Sequence, residues 1–308
     1  MTSATAFETA CQTALTQLPT AHRPWSCGWS AAVAGILEAA AAKPGNVYPG
    51  RSFPDLSFDE LVAAAIAIAE PLEHAHRNPL GATILAAVRQ ARAATRTNAN
   101  LGVVLLVAPL AAAPFPPTPQ GVEAVMGALG PADAAAIWEA INLARPGGLG
   151  RSERWDLADP APPDIRLAMR QAADRDTIAR LWAEGFDDLF TGPVADLAAH
   201  TAARLPLADA ILATFLRQLA RGPDSLILRR HGAAVAEEVR HRAERLVVGQ
   251  AGPGWTHGVA GFDNFLRQPR RLNPGTTADL VAAALYILLR DGRLRPALPF
   301  PTPPFAPG

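Results

Sequence analysis

The sequence predicts an all-α fold, a single-domain bundle of many helices. Alanine, leucine and arginine, which all favour helix, dominate the regular segments of the 308-residue chain. Apolar residues recur at helical spacing in most segments between prolines and glycines. No alternation of apolar and polar residues persists long enough to predict a sheet. Val103–Val107 could form a short buried strand in isolation, but its neighbours on both sides favour helix.

The predicted helices follow one another with short breaks. Arg23–Ala42 forms one helix, which ends at Lys43-Pro44-Gly45. Ser57–His76 forms the next and opens with Ser57 and Glu60, a capping box, while Pro71 should kink or end it. Further helices are predicted at Leu80–Arg96, Leu101–Ala112, Gln120–Leu129, Ala132–Ala144, Pro163–Phe190, Leu205–Arg221, Ala233–Val248 and Thr276–Arg290.

Charge and composition narrow the class of protein. With 28 basic and 28 acidic residues the formal net charge is zero, so the electrostatic footprint of a nucleic-acid binder is missing. The most apolar run, Leu101–Ala113, is too short to cross a bilayer, and the N-terminus shows no secretory pattern. Cys11 and Cys27 match no zinc or redox spacing. We therefore expect a cytoplasmic protein that binds neither membrane nor nucleic acid, its oligomeric state being open.

The domain boundaries follow from the proline-rich stretches. Residues 1–295 are expected to form one helical catalytic domain, and residues 296–308 a proline-rich tail. The segment Ala144–Pro163, which contains Gly147-Gly148-Leu149-Gly150, is the best candidate for a long functional loop.

The first of four polar segments is Lys43-Pro44-Gly45-Asn46-Val47, with Asp55 downstream. A lysine beside a rigid Pro-Gly corner could hold a phosphate oxygen. Alternatively, Lys43 interacts with the C-terminal dipole of its helix and Gly45 ends that helix. Spacing alone favours the second interpretation.

The second segment, Thr97-Asn98-Ala99-Asn100-Leu101-Gly102, lies before a strongly apolar helix. Asn98 and Asn100 could cap this helix, or grip a ribose hydroxyl or an anion at its positive end. These two interpretations are evenly matched.

The third segment, Asp224 to Gly232, surrounds a short helix and its glycine stop. It offers an acid, two guanidiniums (Arg229 and Arg230) and His231. A solvated helix end accounts for Arg230 and His231 more readily than for Asp224.

The fourth segment, Asn273-Pro274-Gly275-Thr276-Thr277-Ala278-Asp279, opens the last helix. Thr276 and Asp279 have capping-box spacing, with Asp in place of Glu. Capping would explain Asp279 but not the preceding rigid turn. Each of the four segments lies at a helix end, where backbone groups are free to meet a ligand, so we expect all four to converge in one pocket.

Together these segments resemble the triphosphoribosyl-dephospho-CoA synthase family, from about Ser26 to Arg290. The Lys-Pro-Gly signature corresponds to Lys43–Gly45, and Asp224-Ser225-Leu226-Ile227 resembles an Asp-Thr-Leu-Ile segment. The close of the pattern, Pro-Gly-Gly/Thr-x-Ala-Asp-Leu, corresponds to 274–280. Asn100 and Leu101 replace the His-Lys pair of many bacterial members, a pattern closer to the archaeal-type branch.

The resemblance implies a transferase that moves the triphosphoribosyl group of ATP to the 2′-hydroxyl of dephospho-CoA and releases adenine. It implies Mg²⁺ with the nucleotide, Asp55 and Asp279 being the expected metal ligands. The expected catalytic residues are Asp279, Asp55 and Asn98. The expected substrate-binding residues are Lys43, Gly45, Asn46, Asn100, Asp224, Arg229 and Thr276.

The replacement at Asn100 and Leu101 keeps other functions open. One is a related helical nucleotide-binding protein with a different acceptor or without turnover. Another is an N-glycosyl hydrolase, in which water replaces the acceptor hydroxyl.

Overall fold

The computed structural model describes residues 25–97, 100–144, 159–249, 252 and 254–295, and within these ranges every regular element is helical. Two isolated β-bridges, Tyr48 to Arg51 and Phe53 to Leu56, tighten the loop after the first helix. The all-α prediction is confirmed. The proline-rich tail 296–308 and most of the Ala144–Pro163 loop lie outside the described residues.

The helices are numbered in chain order. Their bounds are α1 Cys27–Ala40, α2 Phe58–Ala67, α3 Ala69–Glu73, α4 Leu80–Ala94, α5 Leu101–Ala112, α6 Pro119–Gly127, α7 Pro131–Ala144, α8 Ile165–Ala172, α9 Thr177–Glu184, α10 Asp187–Leu189, a π-helical turn Phe190–Val194, α11 Ala195–Ala202, α12 Leu207–Arg221, α13 Ser225–His231, α14 Ala233–Val248, α15 Trp255–Arg267 and α16 Gly275–Arg290.

Helix α16 forms the centre of the core. Every residue from Val281 to Leu289 is at most 1% exposed, and the helix packs against α1, α5, α11, α12, α13 and the π-helical turn. Helix α5 is likewise buried from Val103 to Ala111. Full burial of each large apolar side chain stabilises the fold by about 1.5–3 kcal/mol, so these two helices are the rigid frame of the molecule.

The second predicted helix divides in two. The Ser57–Glu60 capping box is present, with Glu60 N–H donating to Ser57 Oγ at 3.2 Å and Ser57 N–H to Glu60 Oε2 at 3.1 Å. The helix ends at Ala67, and α3 starts at Ala69. The break lies where Pro71 requires it, because proline has no N–H to donate to the carbonyl of Ala67 and its ring would collide with that group.

The prediction of one helix at Pro163–Phe190 is wrong. Asp176 starts a new helix there, since its carboxylate accepts hydrogen bonds from the N–H groups of Ile178 and Ala179 at 2.9 and 3.0 Å. Gly185, with φ of 112°, ends it in a conformation that other residues rarely adopt. Helices α11 and α15 were not predicted from the sequence. No described helix is long and apolar enough to span a membrane.

Candidate active site

A cavity of about 360 Å³ lies where α5 and α16 both begin. Its size is within the range of small-molecule sites, which extends from about 300 to about 1,000 Å³. All four polar segments contribute, so their predicted convergence is confirmed. The expected site residues that line the cavity are Asn46, Asp55, Asn100, Arg229, Thr276 and Asp279.

Asp279 is the carboxylate that the two central helices bring into the cavity. It lies on α16 and faces Gly102, near the start of α5, so closely that a Cβ on Gly102 would collide with its Oδ2. Among the described residues the Asp279 carboxylate has no hydrogen-bond or salt-bridge partner. Burial, followed by the negative charges of Glu38, Asp224 and Asp176, raises its pKa well above the usual 3.8. The neighbouring acidic side chains thus add negative potential at this position, where a cationic group would be stabilised.

The alternative that Thr276 and Asp279 form a capping box does not hold. Helix α16 begins at Gly275, so Asp279 is its fifth residue, beyond the reach of the first free N–H groups. Thr276 Oγ1 instead accepts a hydrogen bond from Ser225 Oγ at 3.0 Å. Helix capping, the structural explanation for Asp279, is therefore excluded.

Asn100 occupies the N-cap position of α5 but does not cap it with its side chain. Its φ of 76° is left-handed, and its side chain makes no hydrogen bond to the first N–H groups of the helix. The side-chain Nδ2 is buried without a partner among the described residues. The first residues of α5, at the positive end of the helix dipole, line the cavity. Asn98, the other predicted cap or ribose contact, lies outside the described residues.

Four buried polar atoms without a partner in the described part of the chain belong to side chains that line this cavity. Within the described residues, Asn100 Nδ2, Asn273 Oδ1, Arg229 Nε and Arg271 Nε are buried and have no hydrogen-bond partner. All four side chains line the cavity. Because burying a polar group without a partner costs about 1–3 kcal/mol, such a cluster is typical of a site that a polar ligand completes.

Lys43 does not occupy the expected phosphate-binding position. The ammonium group is fully buried behind the cavity wall, 2.9 Å from Glu38 Oε1 and 3.0 Å from the carbonyl oxygen of Ala41, and it also donates to the carbonyl oxygen of Glu38. The interpretation that Lys43 interacts with the carbonyl end of its own helix is thus correct. Lys43 also forms an ion pair with Glu38, a residue that lines the cavity and that the sequence analysis did not identify.

Gly45 and Asn46 lie in the turn that follows Lys43 and leads to the cavity-lining residues Asn46 and Val47. Gly45 has φ of 74°, and its N–H donates to Asp263 Oδ1 at 2.8 Å. Helix α1 ends earlier, at Ala40, so Gly45 does not terminate it. Burial alone would raise the pKa of Asp263, but hydrogen bonds from Arg267, Gly45 and Arg51 lower it overall. Asn46, 6% exposed, borders the cavity and donates to the carbonyl oxygen of Pro44 at 3.3 Å.

Two pairs of opposite charge border the cavity. Asp55, on the exposed rim, is paired with Arg271, whose hydrogen bond lowers the pKa of Asp55. Asp176 binds Arg229 through Oδ2 while its Oδ1 caps α9. Arg175 and Arg230 add two more guanidiniums to the lining. The cations available for an anionic ligand are therefore arginines rather than Lys43.

Asp224 does not line this cavity. Its Oδ1 accepts from the N–H groups of Leu226 and Ile227 at 2.9 and 3.1 Å, and its Oδ2 accepts from the N–H and hydroxyl of Thr277, both at 2.8 Å. Burial raises its pKa. With all these bonds made, Asp224 joins the start of α13 to the start of α16, and it borders the adjoining cleft rather than this cavity.

The opposite wall of the cavity is apolar. Trp138, Ile141, Ile165 and Met169 line it, and Trp138 is fixed by a 3.1 Å hydrogen bond from Nε1 to the carbonyl oxygen of Asp159. A flat aromatic or aliphatic group fits such a wall.

A second cleft, of about 720 Å³, adjoins the first. The two share Arg175, Asp176 and Thr276 as a common wall. The far side of the cleft includes Thr191 and Gly192 of the π-helical turn, a type of element that is frequent at functional sites.

Sequence reasoning missed Glu38, Asp176, Arg175 and Arg271. Glu38 carried a signal, being the only charged residue in the alanine-rich α1. Asp176 could have been found as an N-cap, had the segment not been assigned to one long helix. Arg175 and Arg271 carry no signal that distinguishes them from other surface arginines.

The predicted metal ligands do not form a preorganised cage. No group of three or more His, Cys, Asp or Glu side chains in the described part of the chain could hold a metal ion. Mg²⁺ commonly binds through one or two carboxylates plus substrate phosphates. Asp279 fits such a contact, because its carboxylate has no partner among the described residues and lies near other acidic side chains.

Comparison with known proteins relates nearly the whole chain to one family. The CitG family model, described as ATP:dephospho-CoA triphosphoribosyl transferase, matches residues 24–296. A crystal structure from Archaeoglobus fulgidus, of a candidate triphosphoribosyl-dephospho-CoA synthase, superposes with a TM-score of 0.58 at 21% sequence identity, over 75% of this chain and 99% of that one. That likeness shows a shared fold. No curated protein matches the chain.

The matched span contains all four polar segments and every described residue that lines the cavity. The chain belongs to the CitG family of ATP:dephospho-CoA triphosphoribosyl transferases, enzymes that transfer a triphosphoribosyl group from ATP to dephospho-CoA.

Proposed function

We propose that the cavity at the start of α5 and α16 is where this transfer takes place, and that Asp279 is its catalytic carboxylate. The observation that carries the proposal is the Asp279 side chain itself. It is held between two rigid buried helices, it has no role as a cap, and it has no partner among the described residues. Replacing adenine at the ribose C1′ passes through an oxocarbenium-like state, which a nearby carboxylate stabilises.

The arginines and the helix ends suit the triphosphate. Arg230 is exposed at the cavity and has no ion-pair partner among the described residues, while Arg229 and Arg271 each retain an unpaired Nε. Guanidinium groups bind phosphate oxygens in a bidentate manner. We assign the triphosphate to these groups and to the N–H groups that begin α5, with Asn100, Asn46 and Thr276 contacting the ribose. Asn98 remains a predicted ribose contact.

The metal ion belongs to this part of the site. Asp279, with Asp55 at the rim as the second candidate, would face Mg²⁺ bound to the phosphates; the ion would neutralise negative charge on the triphosphate. The pairing of Asp55 with Arg271 also holds that guanidinium beside the cavity, which both residues line. The apolar wall at Trp138 and Met169 suits adenine, which stacks on such surfaces.

The adjoining cleft gives room for the second substrate. Both substrates must be bound together, and the first cavity is near the lower end of the range for small-molecule sites. We assign the pantetheine arm of dephospho-CoA to the second cleft, which the arm enters over the wall at Asp176 and Thr276. The acceptor hydroxyl then remains in the first cavity.

Adenine release from ATP and Mg²⁺, with and without dephospho-CoA, tests the proposal. We expect release only with the acceptor, together with a product that carries the added triphosphoribosyl mass. Release without the acceptor would indicate an N-glycosyl hydrolase, and binding without release would indicate a nucleotide-binding protein. Either result would contradict the proposed transfer.

A further inference from the structure

The cavity contains a second carboxylate with an incomplete set of partners. Glu38 Oε1 is 2.9 Å from Lys43 Nζ, and its Oε2 has no partner among the described residues. The Glu38 side chain is 12% exposed, through the cavity that it lines. The other carboxylates of the lining differ: Asp176 is occupied by Arg229 and by the cap of α9, and Asp55 by Arg271. Glu38 and Asp279 are therefore the two carboxylates available to a substrate.

The two carboxylates line the same cavity, Glu38 from α1 and Asp279 from α16, and these two helices pack against each other. Substitution at a sugar anomeric carbon commonly uses two carboxylates, one beside C1′ and one that accepts the proton of the attacking hydroxyl. Since Asp279 is assigned to C1′ above, the second role remains for Glu38.

Lys43 fixes the orientation of Glu38. It is fully buried, and its three hydrogen-bond donors are directed at Glu38 Oε1 and at the carbonyl oxygens of Glu38 and Ala41. Burying an ammonium group is costly unless it is paired and hydrogen-bonded, so the Lys43 side chain has one well-defined position. This contact holds Oε1 in place and leaves Oε2 free to face the cavity.

We propose that Glu38 is the general base that takes the proton of the acceptor hydroxyl, and that Lys43 is the residue that positions it. The proposal rests on the function proposed above. The acceptor oxygen forms a bond to the donor C1′ as the bond between C1′ and adenine breaks, and the hydroxyl proton passes to Glu38. The electron pair of the broken bond leaves with adenine, which takes a proton from solvent, while Glu38 returns its proton to solvent.

The test compares acceptors that do and do not need a base. An amine attacks as the free base and loses its proton only after the bond forms, so the probe is dephospho-CoA with a 2′-amino group in place of the hydroxyl. In Glu38→Gln, turnover with the hydroxyl acceptor should fall by about a hundredfold or more, and by less than about tenfold with the amine. The KM for ATP should stay within about twofold. Equal losses with both acceptors, or no loss with either, would overturn the proposal.

Two further measurements decide the case independently. In Glu38→Ala, added formate should restore turnover in proportion to its concentration, because the small carboxylate takes the vacated place; no restoration contradicts a chemical role for Glu38. Lys43→Met keeps the buried volume and removes the contact. It should lower kcat about tenfold with the hydroxyl acceptor, less with the amine, and leave the KM for ATP unchanged. A purely structural Lys43 would affect both acceptors equally.

Failure of the Glu38 assignment and failure of the proposed transfer give different results. Adenine release by the native protein that does not depend on dephospho-CoA contradicts the proposed transfer. Suppose instead that native release does depend on the acceptor, and that Asp279→Asn, rather than Glu38→Gln, keeps its turnover with the amine acceptor. Asp279 is then the base, and only the assignment of Glu38 is wrong.

Discussion

The Asp279→Asn substitution replaces a carboxylate by an amide of nearly the same size at the centre of the cavity. The carboxylate has no hydrogen-bond partner among the described residues, and as the fifth residue of α16 it does not cap that helix. The change therefore removes no described contact. What it does remove is the group that can carry negative charge where positive charge develops in the transition state, and such a loss typically costs a hundredfold to a thousandfold in turnover, or about 2.7–4 kcal/mol.

The effect of this substitution on stability follows from the raised pKa of Asp279. Because the folded state holds the proton more tightly than the unfolded chain, the resulting stabilisation is fully present below the unfolded pKa and is lost as the pH rises through the folded pKa. Above the folded pKa, the charged carboxylate destabilises the fold by about 1.4 kcal/mol for each pH unit of the shift. Asparagine carries no such charge, so at pH 8 the variant should be at least as stable as the native protein.

The assay combines adenine release with thermal unfolding at pH 8. We expect turnover to fall by about a hundredfold or more while Tm stays level or rises. Asp209→Asn is the matched control, since Asp209 is exposed on α12 and lines neither the cavity nor the second cleft. Near-native turnover of Asp279→Asn, or a large fall in its Tm, would refute the reasoning.

Three further substitutions test other parts of the site. Gly102→Ala should lower turnover at least tenfold, because the added Cβ collides with Asp279 Oδ2 and meets Ile178 Cδ1 at 2.9 Å. Gly127→Ala is the control, since the space around Gly127 is open and turnover should not change. Equal activity of the two variants in the adenine assay would contradict the placement of Asp279. Arg230→Gln should raise the KM for ATP about tenfold, because it removes a charged hydrogen-bond donor from the cavity. Arg245→Gln, at an exposed position of α14, should leave this KM unchanged. An unchanged KM in Arg230→Gln would show that Arg230 does not bind the triphosphate. Thr191→Trp should narrow the second cleft and raise the KM for dephospho-CoA, but not for ADP as a truncated acceptor; equal effects on both acceptors would contradict the assignment of the pantetheine arm.

The parts of the fold that follow from local chemistry could be predicted from the sequence. Helix α5 has the predicted bounds, since a continuous apolar run between an asparagine and a proline-rich stretch allows few alternatives. The capping box at Ser57 also depends on neighbours three residues apart. The break at Asp176 was missed because helical periodicity continues across it and hides the cap.

The site could be predicted only in outline. Four helix-end segments indicated where a pocket would form, but the roles within it depend on contacts between distant residues. Lys43 illustrates the limit: spacing shows a lysine after an apolar helix, and only the folded chain shows that its partner is Glu38. Asp224 is similar, because its bonds to Thr277 join segments 53 residues apart.

The most direct test of the account is a crystal structure with ATP, Mg²⁺ and dephospho-CoA bound to the Asp279→Asn variant, whose slow turnover preserves both substrates. We expect the donor C1′ between residues 279 and Glu38, with the acceptor 2′-hydroxyl about 3–3.5 Å from C1′. The triphosphate should lie against Arg230 and the start of α5, and the pantetheine arm in the second cleft. A donor ribose bound outside this cavity, or a C1′ remote from both side chains, would contradict the central claim.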